Sequence, residues 1–246
     1  MMIDIKNHLR NYGYYLEYSL NDDLCSKELR KYLGRKKYDK FWTHVDNMVS
    51  LLGTNDVEKI IRDFIGEDLK FLKILLSGQI IISVSIIEEI INSIKRNSSF
   101  LNKKLDILEL GGYDGWTSDY LDLSIENELN LDVVDFEKSK NNPNKNIQLI
   151  NSDYKDFLSK KKYDIVFSVL GINYNNIDIL LNCVLQNINK GGYVYLGLRV
   201  QPDNYDSVNN KLINLGFTKV DENLKIVTVN KDIGQEHFPL FQYKKV

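Results

Sequence analysis

Cysteine, proline and histidine are scarce in this chain of 246 residues, which has two, three and three of them respectively. Cys25 and Cys183 are far apart in sequence, and neither lies in a Cys-x-x-Cys motif or a Cys/His cluster. This pattern argues against a disulfide framework and against a clustered zinc site. A chain of this length can bury a sizeable core without either, and we expect a protein of the reducing cytoplasm.

The net charge is also small, and the apolar runs are short. The formal net charge is -2 and the two signs are interspersed, so no extended positive surface for nucleic acid is expected. The most apolar stretch, residues 79–94, contains Glu88 and Glu89 and is too short for a bilayer span. The first residues lack the features of a secretory signal. We therefore expect neither a nucleic-acid nor a membrane partner.

Residues 1–98 predict a helical region that would serve as an acceptor lid or as a dimer interface. Ser85 and Glu88 have the spacing of a capping box and precede isoleucines at helical intervals. Basic residues at positions 35, 36, 37 and 40 admit two interpretations, a binding patch or a solvated helix face, and the second is favoured.

Residues 99–246 predict the catalytic domain, because short apolar strands alternate there with helical segments. Five strands are predicted, at residues 105–110, 131–136, 147–150, 163–169 and 192–198. Residues 217–220 or 225–229, followed by 238–244, have only short connections and so predict an antiparallel pair. The predicted fold is a doubly wound, mostly parallel, seven-stranded α/β sheet with an antiparallel C-terminal hairpin and an N-terminal helical region.

The first predicted strand runs directly into a glycine turn, ELGGYDG at residues 109–115, and a helical stretch begins at Trp116. Glycines allow a sharp turn and let a ligand approach backbone N–H groups without a Cβ in the way. Glu109 would repel a pyrophosphate, but it suits a ligand that carries an ammonium and a sulfonium. The turn therefore favours a cofactor of that charge over a dinucleotide.

Acidic residues also end the next two predicted strands. Asp135 follows the glycine turn by twenty residues, where a carboxylate can accept hydrogen bonds from both ribose hydroxyls. Asp153 follows the third strand, where it can accept from an adenine amino group, and Tyr154 can flank the ring. The alternative for each aspartate is a cap on the following helix.

Five segments of this sequence resemble the class I S-adenosylmethionine-dependent methyltransferases over about residues 104–246. They are ELGGYDG, VVDF, INSDY, YDIVFSVLGINY and INKGGYVYLGLR, one at each predicted strand. Tyr113 departs from the family pattern, because the E/D-x-G-x-G-x-G motif has its middle glycine there. The resemblance implies S-adenosylmethionine as cofactor and S-adenosylhomocysteine as product.

The resemblance also implies which residues form the cofactor pocket. Gly111 and Gly112 would meet the methionine portion, Asp135 the ribose and Asp153 the adenine. The other implied residues are Glu109, Tyr113, Gly115, Trp116, Phe136, Tyr154 and, beside the sulfonium, Ser168 and Leu170.

Methyl transfer needs an acceptor atom held in line with the methyl group, and a base only where the acceptor loses a proton. His237, in the predicted connection between the last two strands, is the first candidate base, with a surface-loop histidine as an equal alternative. His44 and Tyr174 are further catalytic candidates, although packing is favoured for the segment around His44. Asn173 and Arg199 are candidate acceptor-binding residues.

No metal is expected, since Asp203 and Asp206 are available but have no ligand spacing. The helical first half, with an aromatic segment near Trp42, faintly resembles sugar O-methyltransferases of bacterial surface-polysaccharide pathways. The predicted function is methylation of a small polar metabolite, on a hydroxyl of a sugar or nucleotide-sugar. N-methylation of a small molecule, an NAD-type oxidoreductase and a non-catalytic cofactor-binding scaffold remain as alternatives.

Overall fold

The computed structural model of the protein describes residues 4–52, 68–112, 114–126, 128–135, 144, 146–173, 177–231 and 234–246. Of residues 48–52, 171–173, 230–231 and 234 it describes the backbone alone. The helices in these ranges are α1 (Ile5–Asn11), α2 (Leu16–Leu20), α3 (Asp22–Leu33), α4 (Arg35–Leu52), α5 (Leu69–Ser77), α6 (Ile80–Arg96), α7 (Trp116–Ser124), α8 (Ile177–Asn187) and α9 (Tyr205–Asn214).

The strands form one mixed sheet. They are β1 (Leu105–Leu110), β2 (Leu129–Asp135), β3 (Ile147–Asn151), β4 (Tyr163–Asn173), β5 (Ile188–Arg199), β6 (Phe217–Lys219), β7 (Lys225–Lys231) and β8 (Gly234–Lys245). The order is β3-β2-β1-β4-β5-β8-β6, and β7 pairs with β8 off this path. Strands β1 to β5 pair in parallel, whereas β8 is antiparallel to β5 and β6. The predicted doubly wound, mostly parallel sheet with an antiparallel end is confirmed.

The predicted count of seven strands is corrected to eight in the described residues. Both alternatives for the strand before the last, 217–220 and 225–229, are strands. The reason is the length of β8, which has twelve residues. Its second half lies between β5 and β6, and β7 pairs with β8 without taking a place in that order.

The described chain divides into two compact units, residues 1–8, 82–229 and 235–246 in the first and residues 9–81 and 230–234 in the second. This division differs from the predicted regions 1–98 and 99–246, because most of α6 packs onto the sheet. Ile86 of α6 covers Gly197 of β5, where an added Cβ would lie 2.6 Å from the Ile86 Cγ2 atom.

In the first unit, helices cover both faces of the sheet. Strand β1 is therefore buried along almost its whole length, as expected for a central parallel strand. On the face opposite α6, helices α8 and α9 pack on side chains of alternate strand positions. Members of this core include Leu108, Leu110, Val166, Leu196, Leu180, Val208 and Phe241.

The second unit has its own apolar core, formed by α3, α4 and α5. Phe41 and Phe71 are fully buried and meet edge to face at a centroid distance of 5.1 Å. The Asn21 side chain caps α3 by accepting a hydrogen bond from Leu24 N at 2.9 Å. In the part of the chain that is described, no single helix is long and apolar enough to cross a membrane. Helices α5 and α6, a bent pair, meet both conditions only when they are taken together.

Candidate functional site

The glycine turn joins the carboxyl end of β1 to the start of α7. Gly111 and Gly115 have φ angles of 79° and 76°, which side chains with a Cβ rarely adopt. Gly111 N donates to Val134 O of β2 at 2.9 Å, and Gly115 N donates to Gly112 O at 2.8 Å. The turn is thereby fixed to the neighbouring strand β2.

Glu109 lies beneath this turn and is only 1% exposed. Its two carboxylate oxygens accept hydrogen bonds from the hydroxyls of Thr117 and Ser118, the latter at 2.6 Å, in the first turn of α7. A Cβ on Gly112 would lie 2.5 Å from Glu109 Cδ and 2.6 Å from Val133 Cγ1. Glycine is therefore required at position 112 because Glu109 occupies the adjacent space.

Three carboxylates are concentrated at the glycine turn. Burial raises the pKa of Glu109 to about 7, although hydrogen bonds from Ser118 and Thr117 oppose that rise. The negative charges of Asp114 and Asp135 lie close enough to raise it further. Both of these aspartates are themselves buried. Such a concentration of negative charge suits a cationic ligand and disfavours a pyrophosphate.

The predicted ribose and adenine residues lie at the carboxyl ends of β2 and β3. Asp135 is the last residue of β2, and its carbonyl oxygen accepts from Ser152 N at 3.0 Å. Asp153 is exposed, and its carboxylate accepts from Lys155 N at 3.1 Å and pairs with Lys155 Nζ at 3.3 Å. Asp153 thus closes a hydrogen-bonded turn with no helix after it, while Tyr154 packs partly buried against the core.

At the end of β4 the two predicted residues differ in environment. Ser168 is fully buried, and its hydroxyl donates to Leu110 O at 2.7 Å, which ties β4 to the end of β1. Leu170 has a φ angle of 56°, where the pairing of β4 with β5 shifts register. A leucine in the left-handed region is strained, and such strain is concentrated at ligand-binding sites.

His237 is in a different element from the predicted one. It lies within β8 and not in a connection between strands, because β8 begins at Gly234. His237 is exposed, and its Nδ1 atom is 3.0 Å from Thr228 Oγ1 of β7. Leu240 of β8 pairs with Gly197, so the preceding residues of β8 run toward the carboxyl end of β5. His237 therefore lies near the predicted edge of the sheet.

The remaining candidates are dispersed. Arg199 is exposed at the carboxyl end of β5, and its Cα pairs with that of Asn173 at the end of β4. His44 is half-buried on α4 of the second unit. The predictions for Tyr113, Phe136 and Tyr174, and for the side chain of Asn173, lie outside the described residues.

Sequence reasoning missed His8, which contacts the helix that follows the glycine turn. Its Nε2 atom donates to Trp116 O at 3.0 Å, and its Nδ1 atom is 3.8 Å from Asp119 Oδ2. The ring also packs on Tyr120 at a centroid distance of 5.5 Å. The 108 residues between His8 and Trp116 explain why no sequence spacing predicted this contact. Trp116 itself is buried.

Thr117 and Ser118 were missed as well, although a signal was present. Two hydroxyl residues follow the glycine turn in the first turn of a helix, where they can reach a carboxylate at the strand end.

The described ranges contain no group of three or more His, Cys, Asp or Glu residues that could hold a metal ion.

The chain matches no protein-family model and no curated protein. Among solved structures it is similar to the 1,6-didemethyltoxoflavin-N1-methyltransferase of Burkholderia thailandensis, at 12% identity and a TM-score of 0.53, over 72% of this chain and 85% of that chain. The plantazolicin methyltransferase BpumL is matched at 14% identity and a TM-score of 0.47, over 85% of this chain and 98% of that chain. Of these two matches, the first has a TM-score above 0.5. With the strand order and the glycine turn, it shows that the chain has the class I S-adenosylmethionine-dependent methyltransferase fold.

Proposed function

We propose that the protein is a methyltransferase that binds S-adenosylmethionine and transfers its methyl group to a small polar metabolite. The observation that carries this proposal is the group of three carboxylates, Glu109, Asp114 and Asp135, at the glycine turn. S-adenosylmethionine carries an ammonium and a sulfonium, which these charges attract. NAD carries a pyrophosphate, which the same charges would repel.

The residues of the turn fit this cofactor. Gly111 and Gly112 offer backbone without a Cβ to the methionine portion, and Asp135 at the end of β2 offers acceptors to the ribose hydroxyls. Asp153 keeps acceptor capacity for the adenine amino group, because each carboxylate oxygen has more than one lone pair. When bound, the cofactor supplies an electrophilic methyl group.

For the acceptor, we favour a hydroxyl of a sugar or nucleotide-sugar in surface-polysaccharide biosynthesis. A hydroxyl acceptor loses a proton, and His237 is the candidate base. If its Nδ1–H donates to Thr228 Oγ1, Nε2 is left as the acceptor for that proton. The exposed Arg199 at the end of β5 is the candidate partner for an anionic group of the acceptor.

The second candidate is N-methylation of a small molecule. The match with the highest TM-score among those reported above is an N1-methyltransferase, which was crystallised with its acceptor and S-adenosylhomocysteine. A neutral amine attacks through its lone pair, so a base is less important than for a hydroxyl. The effect of replacing His237 therefore distinguishes the two candidates.

Calorimetry with S-adenosylhomocysteine and with NAD tests the cofactor assignment. We expect S-adenosylhomocysteine to bind and NAD not to bind. Asp135→Ala should lower the affinity for S-adenosylhomocysteine at least about tenfold, because hydrogen bonds to a charged group contribute about 1.5–3 kcal/mol. Asp23→Ala, at an exposed position of α3, is the matched control.

Binding of NAD alone would contradict the proposal, as would equal S-adenosylhomocysteine affinity in the Asp135 variant. Methyl transfer is a separate question. S-adenosylhomocysteine should form when S-adenosylmethionine is incubated with a pool of small polar metabolites. Tight cofactor binding with no such turnover would favour the non-catalytic scaffold.

A further inference from the structure

The first unit contains a cavity of about 370 Å³ that none of the predicted cofactor or catalytic residues lines. Its walls include residues of α6, α9, β5 and β8, and of the segment from Lys219 of β6 to Lys225 of β7. It lies on the β5–β8 side of the sheet, whereas the glycine turn and Asp135 belong to β1 and β2. Its volume is in the range of small-molecule sites, about 300–1,000 Å³.

Tyr195 is a nearly fully buried polar residue that lines this cavity. Its side chain is only 1% exposed, and its hydroxyl has no hydrogen-bond partner among the described residues. Burial raises the pKa of Tyr195 above its ordinary value, so the hydroxyl stays neutral and can both donate and accept. A hydroxyl that makes no hydrogen bond within the protein is available to exchange hydrogen bonds with a ligand or with water in the cavity.

Two further neutral polar groups line the cavity beside Tyr195. Gln242 of β8 is directly opposite Tyr195 in the antiparallel register, so the two side chains are neighbours on one face of the sheet. Ser93 comes from α6. The side chains of Gln242 and Ser93 likewise make no hydrogen bond within the described part of the chain. Two hydroxyls and an amide from three elements therefore converge on one space.

The charged side chains that line the cavity sum to a net positive charge. Glu89 is already paired, with Arg96 at 3.0 Å and with Lys225 at 3.3 Å. Lys219 and Asp221 also line the cavity. The lining thus has three cations and two carboxylates, so that a single negative charge on a ligand would balance it.

We propose that this cavity binds a small hydroxylated molecule with one anionic group, of about the size of a monosaccharide acid or a sugar phosphate. Tyr195, Gln242 and Ser93 exchange hydrogen bonds with its hydroxyl groups, and Lys219 meets the anionic group. The site is separate from the cofactor pocket and does not depend on the methyl-transfer proposal.

Calorimetry on the full chain tests this site with three probes: glucuronate, glucose 6-phosphate and glucose. We expect saturable binding of at least one of the two acids, and binding of neutral glucose at least about fivefold weaker. The acid that binds more tightly identifies a carboxylate or a phosphate as the preferred anion. Lys219→Gln should remove the difference between that acid and glucose.

Tyr195→Phe should lower the affinity for the acid that binds at least about fivefold. Gln242→Leu removes a different polar group of the cavity and should lower that affinity by a similar factor. Tyr205→Phe is the matched control, because Tyr205 lies outside the cavity and makes no hydrogen bond through its side chain among the described residues. The affinity of the variants for S-adenosylhomocysteine should equal that of the unmodified protein. Absence of saturable binding by all three probes would overturn the proposal, as would full affinity in both cavity variants or competition with S-adenosylhomocysteine.

Discussion

Substituting Glu109 with glutamine should flatten the dependence of the protein's stability on pH. Burial raises the pKa of Glu109 in the folded protein to about 7, from its ordinary value of 4.5. Between these values the folded protein holds a proton on Glu109 that the unfolded chain has lost. Linkage then requires the free energy of unfolding to fall as pH rises through this window, and to level off above it.

The size of this effect follows from the two pKa values. They differ by about 2.5, and each pKa unit corresponds to about 1.4 kcal/mol. The unmodified protein should therefore lose about 3 kcal/mol of stability from Glu109 between about pH 4 and pH 8. Glutamine has nearly the same shape and no charge, and its amide can still exchange hydrogen bonds with Thr117 and Ser118.

Chemical denaturation at pH 5, 6, 7 and 8 measures the effect in both proteins. The difference in stability in favour of Glu109→Gln should grow from pH 5 to pH 7 and level off toward pH 8, since the other titrating groups are common to both. Glu222→Gln is the control, because Glu222 is exposed and its substitution should leave the profile unchanged. Parallel profiles for Glu109→Gln and the unmodified protein would refute the reasoning.

Two further substitutions test the turn and the candidate base. Gly112→Ala should lower the free energy of unfolding by about 1–3 kcal/mol, because its Cβ would lie 2.5 Å from Glu109 Cδ; an unchanged denaturation midpoint would contradict this packing. With an acceptor that supports turnover, His237→Ala should lower kcat about 100-fold and leave the affinity for S-adenosylhomocysteine unchanged. Equal activity would identify His237 as an ordinary surface residue.

The parallel strands could be predicted from the sequence because they are buried on both faces. Residues 105–110 form β1 as predicted, since a short apolar run between polar segments is typical of a buried parallel strand. The start of α6 was harder to predict. Ser85 and Glu88 indicated a start near residue 85, but the helix begins at Ile80, because Ile80 and Ile82 are buried and packing extends it. Tertiary contacts here override a local capping signal.

In the candidate site, positions could be predicted and contacts could not. The glycine turn and the strand ends are local features that sequence spacing reveals. The partners of Ser168 and His8 are 58 and 108 residues away along the chain, and no local pattern specifies them. The same holds for Tyr195 and Gln242, whose pairing follows from the register of β8 against β5.

The ionised carboxylate of buried Glu109 is unfavourable for folding, and this cost connects stability to ligand binding. Burial, and after it the negative charges of Asp114 and Asp135, raise the pKa of Glu109, so the folded protein without a cationic ligand resists ionisation of Glu109. A cation bound beside the turn stabilises the ionised form, and its binding therefore releases a proton near pH 7. The affinity for S-adenosylhomocysteine, whose ammonium remains after methyl transfer, should consequently rise with pH between 6 and 8. That rise should disappear in Glu109→Gln, because position 109 then has no proton to release.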